Sequence, residues 1–343
     1  MSNGTGIDYE KLSKNQRLLM EAELKPLQGE RFQPTGFADL GAARYTLPDG
    51  TEMLLVESAQ SVANRMELAC WDEAIDGLIK ELQGMPYIQV NKPDGTHLTN
   101  SILEAHRINS PYILKGKDRT VFDLLKAGAA GLEKGPVKIS QLASLVFKYD
   151  VNAVLHGVFL AKSDLAGGRL RMTRLLTGFI EAKDIRIAEN GGVKNDRVDP
   201  SGDTKSGFGN VPFHRTDFTA KEITAYFNLD LAMLRGYGLD ENATNLLIAL
   251  SLFKVRRFLS TGLRLRTACD LDCIGDLKVT KPIDFIIPDE ETLLGECTRL
   301  INACKNTGLF ADPAITMVNW EPSAKKDKDK KSEVESQDES EEE

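Results

Sequence analysis

The run LLVESAQSVANRMELACW, Leu54 to Trp71, decides the fold class, because it reads as a strand that turns directly into a helix. Val56, Ala59, Ala63, Met66 and Cys70 recur at helical spacing and are expected to face a core. Opposite them, Ser58, Ser61 and Arg65 stand at i, i+3 and i+7, with Gln60 and Asn64 as an i, i+4 pair beside them. A merely solvated helix face is expected to carry Glu and Lys. Small hydroxyls, amides and one arginine suit a surface that approaches a phosphate backbone closely, with the helix N-terminus adding backbone donors. The same groups also suit a face packed on protein, where they satisfy buried backbone, and these residues alone leave both readings open.

Upstream, Arg17 to Leu24 alternates Leu18, Met20, Ala22 and Leu24 on one face and predicts a strand. A long polar loop, Gly29 to Gly41, follows with Arg31, Phe32, Gln33 and Pro34. Ala43 to Leu47 and Thr51 to Val56 then flank the turn Pro48-Asp49-Gly50. Downstream, helices are expected at Thr120 to Glu133 and Lys138 to Phe147, and strands at Val154 to Ala161 and Arg169 to Ala182. Asn190 to Phe213 is polar, glycine-punctuated and too long for an ordinary connection, which leaves a functional loop, an extended hairpin or partial disorder. A strand around Ile223 to Leu234 precedes a helix capped by Asp240 and carrying Leu246, Leu247, Leu250 and Phe253. Further strands are expected at Leu263 to Ala268, Ile283 to Ile287 and Ile315 to Trp320, with a helix from Glu290 to Asn306. This order is neither a βαβ alternation nor all-helical, so the expected class is α+β on an antiparallel sheet with large helical and loop insertions. Residues 1–16 are expected to be flexible, 17–320 to form a single folded unit, and 321–343 to be a disordered charged tail.

The formal net charge of −8 argues at first against nucleic acid. Half of it resides in Ser323 to Glu343, where five lysines face nine acids. By contrast, Ser251 to Cys269 carries Lys254, Arg256, Arg257, Arg264 and Arg266 and no acid. Such a local basic stripe suits a polyanion even on a mildly acidic protein. Arg169-Leu170-Arg171 and Arg264-Leu265-Arg266 each point two guanidiniums to one side of a strand, and two such pairs on one sheet would make a basic surface. No apolar run is long enough to span a bilayer and Met1 to Asn15 has no signal-peptide core, so a soluble cytoplasmic protein is expected, with no membrane partner. Five cysteines form an odd set without a disulfide framework.

Enzymatic signatures are weak. GFGNVPF, Gly207 to Phe213, lacks the ending of a P-loop and places Pro212 at the third glycine position of the dinucleotide fingerprint, so no cofactor is expected. Phe208, Val211 and Phe213 suit a wedge against bases or a neighbouring subunit, and equally a loop tacked onto the core, while His214 beside Arg215 suits a contact. Cys269 and Cys273 have a tolerable zinc spacing, but Cys297 and Cys304 fall on the apolar face of one helix, so no metal site is expected. His97, His106, His156 and His214 show no triad spacing, and Asp39 is an isolated acid in the polar loop.

Together, QGERFQPTGFADLGAARY (Gln28 to Tyr45), LLVESAQSVANR (Leu54 to Arg65), HGVFLA (His156 to Ala161), GFGNVPFHR (Gly207 to Arg215) and GLRLRTACDL (Gly262 to Leu271) resemble the Csb-type backbone proteins, of the RAMP superfamily, in type I-U (or I-G) CRISPR systems. The resemblance spans roughly Arg17 to Trp320. It implies an RRM-like, ferredoxin-type palm with inserted subdomains, copies stacked head to tail along a guide RNA, and a thumb that reaches the next copy's RNA segment. It also implies other complex subunits as partners, with target nucleic acid engaged through the guide. On this resemblance the helix bearing Ser58, Gln60, Ser61 and Arg65 holds the guide backbone, and the classical RRM aromatic pairs are absent. The thumb is assigned to Asn190 to Phe213, with Gly29 to Gly41 as the competitor. A scaffold of this kind lets base pairing read sequence and needs no catalytic group. The alternative is a ribonuclease of the same superfamily, processing guide precursors with a histidine or cutting target RNA with Asp39.

Overall fold

The computed structural model describes residues 6–261 and 263–322, so residues 323–343 of the expected tail and the first five of the expected flexible N-terminus lie outside the described residues, whereas Glu321 pairs with Lys117 at 2.9 Å, Pro322 bridges to Gly116, and Tyr9–Ser13 forms a short helix with Leu12 buried. The principal sheet is curled and antiparallel, with two helices packed on one face; smaller sheets lie outside it, among them a three-stranded one in which Ile315–Asn319 pairs parallel with Tyr87–Asn91. In chain order the elements that position the site are β1 (Arg17–Pro26), β2 (Arg44–Thr46), β3 (Glu52–Glu57), α1 (Ala59–Leu68), α2 (Val151–His156), β4 (Leu176–Lys183), β5 (Arg186–Lys194), β6 (Val211–Thr219), β7 (Glu222–Asp230), α3 (Glu241–Ser260), β8 (Leu263–Arg266), β9 (Cys269–Cys273), β10 (Lys278–Lys281) and α4 (Glu290–Asn306). The spatial order is β8-β9-β1-β7-β4-β3-β2, with β10 pairing to β1 beside β9. Every named pair in this sheet is antiparallel. The α+β class follows directly.

Period-two patterning fixes the register. Leu18, Met20, Ala22 and Leu24 on β1, Ile223, Ala225, Phe227 and Leu229 on β7, and Ile180 and Ala182 on β4 are all buried. This face meets α1 and α3: the Phe227 ring packs edge-on to Phe258 of α3 at 6.0 Å. Gly178 is required where α1 crosses the sheet. A Cβ there would lie 2.7 Å from Phe227 Cδ1 and 3.0 Å from Val62 Cγ1.

Several local expectations are corrected. Val154 to Ala161 is not one strand: Asp150 caps α2 by accepting from the Ala153 amide at 3.0 Å, and only Val158–Leu160 is extended. Arg169 to Ala182 breaks into Leu170–Met172 and β4. The strand at Ile223 ends at Asp230, whose carboxylate caps the short helix Leu231–Gly236. Ile283 to Ile287 is not a strand; β10 precedes it instead. Asn190 to Phe213 lies within an extended hairpin, β5–β6, paired over nine residues from Arg186↔Thr219 to Lys194↔Val211.

Replacing Gly178 by valine is expected to destabilise the fold by about 1–3 kcal/mol, because the helix–sheet contact has no room for extra methyls. Thermal melts check this: Gly178→Val lowers Tm, whereas Thr177→Val on the half-exposed opposite face leaves it nearly unchanged.

Candidate nucleic-acid interface

The polar face of α1 begins at its cap. Ser58 Oγ accepts from the Ser61 amide at 3.3 Å, which satisfies one of the helix's free donors. One turn on, Gln60 Nε2 donates to Asn64 Oδ1 at 2.8 Å, and Gln60 Oε1 accepts from the guanidinium of Arg174. Arg174, which sequence reading did not single out, is half-buried, and burial with Arg107 nearby lowers its pKa. At the far end Arg65 Nη2 donates to the Leu265 carbonyl at 2.7 Å, so α1 lies against β8. Exposed Arg264 sits one residue away.

The polar loop joins the same surface. Thr35 donates to the Val56 carbonyl at 2.9 Å and Gln33 to that of Ala268 at 2.7 Å. Arg266 reaches the carbonyls of Gln33 and Val56, each at 2.9 Å, and pairs with the Glu57 carboxylate. Exposed Arg31 precedes Phe32, whose amide and carbonyl pair with Phe218 at 2.9 Å in each direction. Thus Ser58, Gln60, Ser61, Asn64, Arg65, Arg31, Arg264 and Arg266 gather in one region of the molecule, though Arg266 is held by internal partners.

The other basic candidates lie elsewhere, which corrects the expectation of two arginine pairs on one sheet. Leu170–Met172 pairs with Val158–Leu160 in a separate two-stranded sheet. There Arg169 donates to the carbonyls of Leu132 at 2.7 Å, Glu133 at 3.0 Å and Gly135 at 2.7 Å, and Arg171 lies over the Phe159 ring at 4.6 Å. The continuous stripe on α3 is also corrected. Arg256 reaches the Ile287 carbonyl, Arg257 pairs with Glu290 at 3.1 Å, and Lys254 is fully buried.

Lys254 is instead the centre of a polar cluster inside the core. Its Nζ contacts Asn152 Oδ1 and His156 Nε2, the latter at 2.8 Å. Burial drives the pKa of His156 well down and lowers that of Lys254. A neutral imidazole accepting at Nε2 carries its proton on Nδ1. Burial also pushes the carboxyl of Asp150 up to about 7, against the opposing Ala153 amide bond.

Two further features frame the α1 surface. Beyond its C-terminus lies a cavity of about 310 Å³ lined by Arg65, Leu68, Trp71, Arg257, Phe258 and Leu265, among others. The β5–β6 hairpin carries exposed Phe208, Phe213 and His214, with Val211 half-buried. Phe213 crosses the ribbon over Gly192, where a Cβ would stand 2.9 Å from the ring. On the sheet face away from the helices, Phe179 and Tyr226 stack at 5.2 Å, an aromatic pair that the sequence resemblance did not anticipate. Tyr45 joins them by donating to Glu181 at 2.7 Å. Asp39 is exposed in the loop. Among the described residues there is no grouping of three metal-ligating side chains and no helix long and apolar enough to cross a membrane.

Residues 18–187 match the family model described as CRISPR-associated protein GSU0053, so over that span the chain is similar to CRISPR-associated proteins. A solved chain titled "CRISPR RNA-guided surveillance complex, pre-nicking" aligns with 85% of this chain and 87% of its own length, at 14% identity and a TM-score of 0.40. No curated protein matches.

The buried carboxyl gives a test of the polar cluster. Because the folded pKa of Asp150 is raised from 3.8 to about 7, its contribution to stability is present below the lower value and lost as pH rises through the upper one. Asp150→Asn keeps an acceptor for the cap and removes the titration. In denaturant melts the variant is expected to match the parent near pH 4 and to exceed it increasingly toward pH 8; a pH-independent difference would contradict the placement.

Proposed function

We propose that this chain is a guide-RNA-binding backbone subunit of a CRISPR interference complex of the type I-U (I-G) kind, assembling head to tail along the guide and acting without cutting it. The observation that carries the proposal is the α1 surface. A capped helix N-terminus, hydroxyls, amides, Arg65, Arg174 and Arg264 stand together beside a loop bearing Arg31. This is a donor-rich face of the kind that positions a phosphate backbone without reading bases. The family match over residues 18–187 includes α1, Arg31 and Arg174.

The strand order supports reading the centre as a ferredoxin-type, RRM-like palm. Taking β1, β4, β7 and β9 as the first to fourth strands, their spatial order is 4-1-3-2, all antiparallel, with α1 and α3 on one face. The remaining helices and the β5–β6 hairpin are then insertions into a single unit spanning residues 17–320. We assign the thumb to that hairpin. An unaccompanied two-stranded ribbon is marginal in water, and exposed Ile187, Val193, Phe208 and Phe213 give it apolar surface to cover.

Charge change at two positions tests the RNA surface. Ser61→Glu places a negative charge at a helix N-terminus, which favours the helix, so Tm holds while RNA affinity falls. Arg264→Glu is expected to weaken binding to all RNA sequences alike and to reduce the slope of log K against log[salt] by roughly 1. Fluorescence anisotropy with an unstructured RNA at several salt concentrations reads both effects. Unchanged affinity and slope in both variants would remove RNA from this face.

A further inference from the structure

We propose that the acidic residues 333–343 of this chain dock on a basic surface of the same chain, built by Lys115, Arg119 and Lys162 in the region between α1 and β4. This contact does not depend on what α1 holds.

Charge is divided unevenly along the chain. Residues 115–171 contain ten lysines and arginines against five acids, and one of the five, Asp150, is fully buried. Nine of the ten cations are exposed and Lys162 is half-buried. That surplus sits on a chain whose formal net charge is −8. Part of it gathers around one ring: Arg119 lies over Phe122 at 4.1 Å from the centroid, and Lys162 over the same ring at 5.8 Å. Burial lowers the pKa of Lys162, and the charges of Lys115 and Arg119 lower it further, against Asp164. Asp123 offsets part of the charge by pairing with Arg119 at 3.5 Å, but both side chains are more than half exposed and the pair is weak. Cations held this close together, on a region with such a surplus, attract a polyanion.

A polyanion is tethered at the same place. Pro322 bridges to Gly116, the Lys117 amide donates to the Glu321 carbonyl at 3.0 Å, and Lys117 Nζ pairs with the Glu321 carboxylate at 2.9 Å. Trp320 closes the junction: a Cβ on Gly116 would stand 3.2 Å from its ring, which meets Tyr112 at 5.1 Å. The described chain therefore leaves the fold beside Gly116, one residue from Lys115 and three from Arg119. Beyond it, residues 325–331 carry five lysines and two aspartates, whereas residues 333–343 carry seven acids and no cation. The basic surface repels the first of these runs and attracts the second. Glu333 is eleven residues past Pro322 and so reaches at most about 40 Å, while Arg119 lies within about 11 Å of backbone from Gly116. The tether spans the distance with length to spare. Tethering also raises the local concentration of the acids to about the mM range, which a free polyanion has to match. Position and charge together select the chain's own acids as the occupant.

Carbodiimide cross-linking of the full chain without RNA tests the docking, because it joins a carboxyl to an amine only where the two touch. Mixing isotope-labelled and unlabelled chains separates links within one chain from links between copies. Peptide mass spectrometry is expected to find acids of residues 333–343 joined to Lys115 and Lys162 within one chain at low salt, and to lose these links at high salt. Glu339→Gln, Glu341→Gln, Glu342→Gln and Glu343→Gln combined are expected to reduce the yield several-fold with Tm unchanged. Acids joined only to residues 325–331 show a tail closed on itself and overturn the proposal. Links found only between copies overturn it in favour of a second chain. If the acids reach neither Lys115 nor Lys162 and added RNA shields Lys162 from amine acetylation, a nucleic acid is the occupant and the proposal fails.

Discussion

Two guanidinium–carboxylate pairs hold α1 in place, and the surface under discussion exists because they do. Before its first turn, Glu57 is paired with Arg266, which also gathers the carbonyls of Gln33 and Val56. Near its end, Glu67 is paired with Arg107 by two bonds of 2.7 and 2.8 Å. Burial pushes the Glu67 carboxyl up in pKa and Arg107 opposes this. Exposed ion pairs contribute about 0–1 kcal/mol, but removing one partner of a buried pair typically costs about 3–5 kcal/mol. Because the buried side of the helix is fastened in this way, its opposite side is free to carry hydroxyls and amides rather than core residues.

The elements that sequence discloses are those whose pattern is long and local. β1 alternates over its whole length, and α4 combines an apolar stripe with an Asp289 cap, so both stand where patterning predicts. Short apolar runs mislead. Val154 to Ala161 is rich in strand formers, yet Asp150 at one end and Gly157 at the other bound a helical turn. Ile283 to Ile287 reads as a strand, but Pro282 and Pro288 flank it and Ile283 and Ile286 face solvent. The site was legible in the same uneven way. Ser58, Gln60 and Asn64 interact within one helix and are visible as spacing. Arg174 meets Gln60 from 114 residues away, and Lys254 is drawn inside by Asn152 and His156 about a hundred residues upstream, so no local window reveals either.

That internal use of cations shapes the proposed mode of action. Arg169, Arg256, Arg257 and Arg266, which read as phosphate-binding residues in sequence, hold loops and carboxylates together instead. Exposed Arg31 and Arg264 remain beside the α1 face. Few phosphate contacts per copy imply modest affinity and a shallow salt dependence for a single subunit. Tight retention of RNA then depends on several copies engaging one strand, where the second contact is intramolecular. A neutral, apolar-tipped arm is suited to linking those copies, and the mild overall acidity limits association with unrelated polyanions.

The most direct test is native mass spectrometry of the chain purified from cells that express it with its complex partners and a CRISPR array. The account predicts a particle containing several copies of this chain and one small RNA of uniform length, with added guide-complementary RNA left uncut. A monomer free of RNA, or a particle that shortens the RNA supplied to it, would contradict it.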